Sequence, residues 1–276
     1  MKKLTASLGL TAFVLATTSA AWAGEDKDNH ISFGRDDKQC EVSLNYDVSV
    51  EPSKLVVSEA KKEVYRIELG RLYVNGDKVE LNDKQQALVN QYAGEVSKQL
   101  PEVIDVVHDT VDIASTAVSM ALTPLLGDAA GAKIDEMMDG MSKRIDKVAY
   151  QNGDKFYLGA TESSIEDTFG KEFEQEMEQL VQSSIGSMMM TLGSEMMKGD
   201  GESFEEKMNA FSAKMDKVGD DIEAQIEQQA TDLEARADKL CDNFQQLAAL
   251  ESQMRSEVPV LRDYPLVSAK QQTLRE

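Results

Sequence analysis

Residues 40–50, CEVSLNYDVSV, carry the pattern that decides how this chain begins to fold. Cys40 and every second residue after it are sulfur-bearing, aliphatic or aromatic, and the residues between them are polar. A period of two is typical of a strand that buries one face, so Cys40 is expected on the buried side. The stretch therefore predicts one long strand at the start of an antiparallel sheet.

The strand pattern continues to residue 82. Tyr65, Ile67 and Leu69 alternate with polar residues, and two further short runs flank the pair Asn75-Gly76. Asn-Gly favours the two positive φ angles of a type I′ hairpin turn. We predict an antiparallel meander of four or five strands within residues 24–82, after a polar leader at 24–30.

Beyond Asn82 the apolar residues recur every three or four positions, which indicates helices over residues 83–160. Pro101 is suited to the first turn of a helix and is expected to start a second one. Residues 113–126 lack charge, but 14 residues are too few to span a membrane, so a buried core helix is predicted.

Residues 150–158 match residues 73–81 at six of nine positions, including Asn-Gly-Asp-Lys. An internal duplication explains this similarity, and so does the independent formation of two Asn-Gly turns. In either case residues 155–158 are expected to add a strand to the N-terminal sheet, beside the first copy.

Residues 161–256 predict a long antiparallel helical hairpin. Ser163 with Glu166 and Ser203 with Glu206 have the spacing of capping boxes, and each pair precedes a long apolar stripe. The second helix is expected to run about 50 residues. Residues 257–276, which contain Pro259 and Pro265, are expected to form an irregular tail. The predicted fold class is α+β: an N-terminal β-meander, then a mainly helical region that ends in this hairpin.

Residues 1–23 have the layout of a secretory signal peptide. Two lysines precede an apolar run that ends in Ala21-Trp22-Ala23, so cleavage is predicted after Ala23. Export to an oxidising compartment makes a disulfide between Cys40 and Cys241 the expected state, with two buried thiols as the alternative. Such a bridge closes a loop of about 200 residues and stabilises by about 5 kcal/mol in the chain-entropy model.

The chain is strongly acidic. Without residues 1–23 it has 27 basic and 50 acidic side chains, a net charge of −23, and residues 163–256 alone carry −13. This charge repels nucleic acid and anionic membrane surfaces and suits cationic partners or divalent ions. The alternative is that the charge only keeps the helices solvated.

The sequence offers little catalytic or metal-binding chemistry. His108 lies one helical turn from Asp112, but no Gly-x-Ser-x-Gly motif supplies a nucleophile, and a surface histidine beside carboxylates is common. Asp200 and Glu202 could hold calcium weakly, although a solvated turn also explains them. We predict no catalytic, cofactor-binding or metal-ligating residues and no cofactor. A hydrolase-like enzyme with a site between sheet and helices is the main alternative.

Methionines cluster at residues 137, 138 and 141 and again at 188–190, 196 and 197. Three interpretations stand side by side. Methionine fills irregular helix cores, it forms adaptable grooves for a client protein or lipid, and its thioether binds copper(I).

The Cys-x-Val-x-Leu strand at 40–44, the Tyr-Val-Asn-Gly hairpin at 73–76, the signal and the acidic, methionine-rich helical tail together resemble the YggN-like family. That resemblance implies a periplasmic protein of Gram-negative bacteria without an assigned activity, and it supplies no functional residues. We expect a non-enzymatic binding or structural protein of the cell envelope. Its partner would be an envelope protein or an apolar ligand, with self-association through the hairpin as a further possibility. No nucleic acid and no stable membrane span are expected.

Overall fold

The computed structural model describes residues 41–126, 128–197 and 204–270. The predicted signal peptide with Ala23, the leader, Cys40 and the turn with Asp200 and Glu202 lie outside these residues. The predicted α+β class is confirmed, because antiparallel strands precede a mainly helical region with a very long C-terminal helix.

Nine strands within the described residues form two sheets. In the larger sheet the order is β6-β5-β4-β3-β2-β8-β7, and β1 pairs with β9 in a separate two-stranded sheet. The strands are β1 (Glu41–Leu44), β2 (Asp47–Glu51), β3 (Lys54–Glu59), β4 (Lys62–Glu68), β5 (Arg71–Val74), β6 (Asp77–Lys78), β7 (Ala149–Asn152), β8 (Lys155–Leu158) and β9 (Val267–Lys270).

The predicted meander is present as β2 to β6. Asn75 and Gly76 form its last turn with φ angles of 51° and 89°, as expected of a type I′ hairpin. Residues 155–158 also join this sheet as predicted, but β8 pairs with β2, where Val48 faces Leu158. The two similar hairpins therefore lie at opposite edges of the sheet rather than side by side.

The prediction of one continuous strand over residues 40–50 is wrong. The chain leaves β1 at Leu44 and enters β2 at Asp47, and the two strands belong to different sheets. Asn45 fixes the break, because its N–H donates to Leu266 O over 2.9 Å and its Nδ2 donates to Pro265 O over 2.8 Å. These partners lie at the other end of the chain, and nothing in the local pattern reveals them.

The described part of the chain contains five helices. Two lie between β6 and β7, namely α1 (Asp83–Leu126) and α2 (Asp128–Val148). Three lie between β8 and β9, namely α3 (Glu162–Phe169), α4 (Lys171–Met197) and α5 (Phe204–Glu257). The predicted break at Pro101 is wrong, since α1 runs through it. A proline inside a helix costs about 3 kcal/mol. Leu100, Val103 and Ile104 around it are buried, and burial of each such side chain stabilises by about 1.5–3 kcal/mol, which offsets that cost.

The two long helices predicted for residues 161–256 differ in detail from the structure. The second is one helix of 54 residues, as expected. The first is divided at Gly170, where a Cβ atom would stand 2.5 Å from the backbone oxygen of Glu166. Thr161 rather than Ser163 caps α3, and its side chain accepts a hydrogen bond from Ser164 N. The most extensive helix contact of α5 is with α1.

The irregular tail predicted for residues 257–276 is wrong for its described part. A short 3-10 turn, Pro259–Leu261, leads to β9, and Val42 of β1 faces Ala269. Leu261, Leu266 and Val267 are buried in the core that joins the sheet, α1 and the C-terminal half of α5. The two prolines end the helix but do not prevent an edge strand from forming beyond them.

We expect Pro101→Ala to raise the free energy of unfolding by about 1–3 kcal/mol, because alanine restores a helical N–H at this point of α1. Urea unfolding followed by circular dichroism measures the change. Pro259→Ala is the matched control and should not raise the free energy of unfolding, because Pro259 occupies the first turn of the 3-10 segment, where proline is tolerated. An unchanged or lowered free energy for Pro101→Ala would contradict the account of α1.

Candidate functional site

His108 contacts groups other than Asp112, the carboxylate one helical turn away. Its Nε2–H donates to the backbone oxygen of Ala149 over 2.8 Å, and its Nδ1 lies 3.7 Å from Asp146 Oδ1. The ring therefore ties α1 to the end of α2 and the start of β7. These contacts give His108 a structural role, in agreement with the alternative that it is an ordinary histidine beside carboxylates.

Asp112 instead lines a groove between α1 and α5 of about 340 Å³, together with Asp109, Asp232 and Arg236. Arg236 Nε donates to Glu102 Oε1 over 2.7 Å, and its Nη1 forms an ion pair with Asp109. The hydrogen bond that Arg236 donates to Glu102 is the main reason that the pKa of Arg236 is raised. The guanidinium is thus already committed to holding the two helices together.

The calcium alternative rests on Asp200 and Glu202, which lie outside the described residues. In the part of the chain that the structure describes, no group of three or more His, Cys, Asp or Glu side chains is arranged to hold a metal ion. Of the helices described, none is both long and apolar enough to cross a membrane.

The two methionine clusters lie in different environments. Met138 packs against buried Ile134, and Met141 packs against the main core, so this cluster fills the interior. Met189 and Met190 on α4 are 71% and 77% exposed. The side chains of Met188, Met196 and Met197 are outside the described part. Core filling therefore explains the first cluster but not the second.

The sequence did not reveal a buried polar cluster at the start of α3. Asp47 is 1% exposed; its Oδ1 accepts from the N–H and the hydroxyl of Thr161, over 3.0 and 2.9 Å. Its Oδ2 accepts from the Ser164 hydroxyl over 2.7 Å. Asp47 thus joins β2 to the first turn of α3 and satisfies donors that the helix end leaves unpaired. The alternation of residues 40–50 placed Asp47 on the solvent face, so no sequence signal identified it.

A second buried carboxylate, Glu251, lies on α5 and is also 1% exposed. Its Oε1 accepts from Leu266 N over 2.6 Å and its Oε2 accepts from Val267 N over 2.9 Å. The Tyr92 hydroxyl lies 3.2 Å from Oε1, and the Tyr65 hydroxyl lies 3.2 Å from that of Tyr92. A sequence signal did exist, because Glu251 occupies the apolar stripe of α5 between Leu247 and Met254.

Burial controls the titration of this cluster. It raises the pKa of Glu251 above the usual 4.5, while the N–H groups of Leu266 and Val267, the charge of Arg255 and the Tyr92 hydroxyl act in the opposite direction. Burial also raises the pKa values of Tyr65 and Tyr92 well above 10.0. Both phenols therefore remain neutral hydrogen-bonding groups through the physiological range.

One half of the predicted disulfide is described. Cys241 is buried on α5, and its Sγ accepts a hydrogen bond from Gln245 Nε2 over 3.6 Å. Cys40 lies outside the described residues, directly before β1, and β1 contacts α5. The described neighbours thus bring the chain at residue 41 to the helix that carries Cys241.

These features define an α+β protein in which very long helices pack on an antiparallel sheet and buried carboxylates fasten distant segments. The chain belongs to a protein family of unknown function, DUF2884, whose model matches residues 40–267. A comparison with curated proteins gives no match, and neither does a comparison with solved structures.

We expect the folded protein to contain tyrosines that do not ionise near pH 10. The pKa values of Tyr65 and Tyr92 are raised in the folded state, so their contribution to stability is complete below pH 10.0 and is lost as pH rises through the raised values. Tyrosinate absorbance measures this in the native and urea-unfolded protein. Tyr92→Phe should remove one late-titrating group, and a native curve that matches the unfolded one would contradict the buried cluster.

Proposed function

We propose that this is a non-enzymatic binding or structural protein of the cell envelope, a YggN-like periplasmic protein exported by cleavage after Ala23. The exposed methionines of α4 carry the proposal. We call α4 and residues 204–230 of α5 the acidic arm. Its partner is inferred to be a cationic, amphipathic segment of another envelope protein.

Among the described side chains, the apolar ones of the acidic arm are less covered than those of the C-terminal half of α5. Met189 and Met190 are largely exposed, and Val181 of α4 and Met208 of α5 are about half exposed. Farther along α5 the stripe that sequence periodicity assigns to an interface is only half-buried, at Met215, Val218, Ile222 and Ile226. Exposed apolar side chains can form binding surfaces, and flexible thioethers adapt to partners of varied shape.

The charge of the arm selects the partner. The sequence of the arm contains four basic and twelve acidic side chains, so an approaching cationic segment is attracted and an anionic surface is repelled. A second copy of the arm carries the same negative charge, which disfavours self-association. Copper(I) is a weaker candidate, because neither histidine nor cysteine lies near Met189 in sequence.

The disulfide between Cys40 and Cys241 is part of the same proposal. Two observations support it: Cys241 is buried on the part of α5 that packs in the core, and β1, which begins one residue after Cys40, contacts that helix. The bridge would anchor the N-terminal end of β1 on α5 in an oxidising compartment.

We expect the acidic arm to bind a synthetic amphipathic helix whose polar face is lysine, and not the matched peptide whose polar face is glutamate. Met189→Ser with Met190→Ser should weaken binding about tenfold or more, since each methionine contributes burial of an apolar side chain. Fluorescence anisotropy with labelled peptides measures the affinities, and added salt should reduce them.

Gln175→Ser with Gln179→Ser is the matched control, because both are exposed positions of α4 and undergo a similar loss of helix propensity. This variant should bind as the parent does. Equal binding of the methionine variant and the parent, or preference for the glutamate peptide, would refute the proposed surface. Concentration-dependent dimerisation without peptide binding would assign the arm to a second copy instead.

We expect protein recovered from a periplasmic extract to have the intact mass of residues 24–276 less two hydrogen atoms. Reduction should restore both hydrogens and allow two thiols to be alkylated, and Cys241→Ala should carry one alkylatable thiol without reduction. Mass spectrometry checks the cleavage site and the bridge together. Two free thiols in the unreduced protein would refute the bridge, and retention in the cytoplasm would refute export.

A further inference from the structure

The last described part of the chain is held on α5 by buried apolar side chains and by polar contacts with Glu251 and Arg255, and its strand β9 pairs with β1. We call residues 258–270, which comprise the 3-10 turn and β9, the terminal strap. We propose that the terminal strap is a latch that opens and closes at Glu251, and that protonation of this carboxyl holds it shut. This inference is independent of the acidic arm and of the partner proposed for it.

The geometry makes Glu251 sensitive to the strap. Both carboxylate oxygens accept hydrogen bonds from consecutive strap N–H groups, those of Leu266 and Val267. Leu266 and Val267 are themselves buried, and they cover the carboxyl from water. Opening the strap therefore removes both donors and hydrates Glu251 in one event, so the charge state of this group is linked to the opening equilibrium.

The tyrosines allow the cluster to accept either charge state. When Glu251 is ionised, Tyr92 donates to Oε1 and Tyr65 donates to Tyr92. When Oε1 carries a proton, Glu251 donates to Tyr92 and the chain of hydroxyls reverses, at the same distances of 3.2 Å. Closure therefore does not require the buried carboxyl to be charged, and the neutral form avoids the cost of a buried charge.

The groups that face Glu251 are few and come from every packed element. Arg255 of α5 is a positive charge that lowers the pKa of Glu251, and its Nη1 donates to Arg262 O of the strap over 2.8 Å. Tyr92 of α1, Tyr65 of β4 and Tyr46 between β1 and β2 also interact with Glu251, and Tyr264 of the strap interacts with Tyr46. Burial outweighs the positive charge and the donors, and the pKa of Glu251 in the closed state is raised.

The direction of the effect follows from linkage. In the open state the carboxyl is hydrated and titrates near 4.5, whereas in the closed state it holds its proton to a higher pH. The stabilisation of the closed strap is complete below 4.5 and is lost as pH rises through the raised value. Acidification therefore tightens the latch, and alkaline conditions loosen it.

Hydrogen exchange of the full-length protein, read by mass spectrometry on peptides within residues 258–270, tests the latch. After correction for intrinsic rates, the strap amides should become more protected when the pH is lowered from about 8 to 4.5, the usual pKa of a glutamate, by at most about tenfold per pH unit for one proton. Glu251→Gln cannot titrate and should lose this dependence. Exposed Glu223→Gln on the same helix should keep it.

A second variant keeps the test decisive if Glu251→Gln fails to fold. Tyr92→Phe removes a hydrogen bond that lowers the pKa of Glu251, so the pH dependence should persist and its midpoint should move to higher pH. Protection of the strap that is equal at both pH values in the parent protein would overturn the proposal. So would a pH dependence that survives in Glu251→Gln or a midpoint that Tyr92→Phe leaves in place.

Discussion

The C-terminal half of α5 lies between α1 and the small sheet of β1 and β9, and its apolar side chains complete the only core cluster that reaches all of these elements among the described residues. Leu240, Phe244 and Leu247 are buried there. Without them α1 would expose its own apolar face, and β1 would lose the surface beneath it. In the N-terminal half of the same helix, the described stripe residues Met215, Val218, Ile222 and Ile226 are only half-buried and are not members of that cluster.

Local patterns predicted the parts of the fold that local chemistry determines. The turn at Asn75-Gly76 depends on two residues that tolerate positive φ, and the stripe of α5 depends on helical periodicity, so both were evident from the sequence. The break at Asn45 depends on hydrogen bonds to Pro265 and Leu266, which are about 220 residues away, so the residues around Asn45 do not predict it. Pro101 shows the reverse case, in which a correct local preference is overruled by burial of its neighbours.

The candidate sites divide in the same way. The charge and methionine content of the acidic arm can be counted from the sequence. Only the structure shows that Met189 and Met190 of the arm are exposed, whereas Met138 and Met141 pack against core residues. Asp47 and Glu251 escaped prediction because each carboxylate binds backbone or hydroxyl donors from a remote segment. Glu251 interrupts an apolar stripe and could have been flagged, whereas Asp47 sits where a polar residue was expected.

The remote partners of β1 and β2 have a consequence for how the chain matures. β2 finds one partner at once in the adjacent β3, but its other neighbour is β8, and β1 pairs with β9. Asp47 likewise contacts Thr161 across 114 residues, and Asn45 contacts Pro265 across 220. A polypeptide that emerges amino-terminus first can therefore form the β2–β6 meander early, whereas β1 and one edge of β2 stay unpaired until residues 155–158 and 267–270 are available. Contacts between such distant residues slow folding and leave an interval in which these edges can pair wrongly.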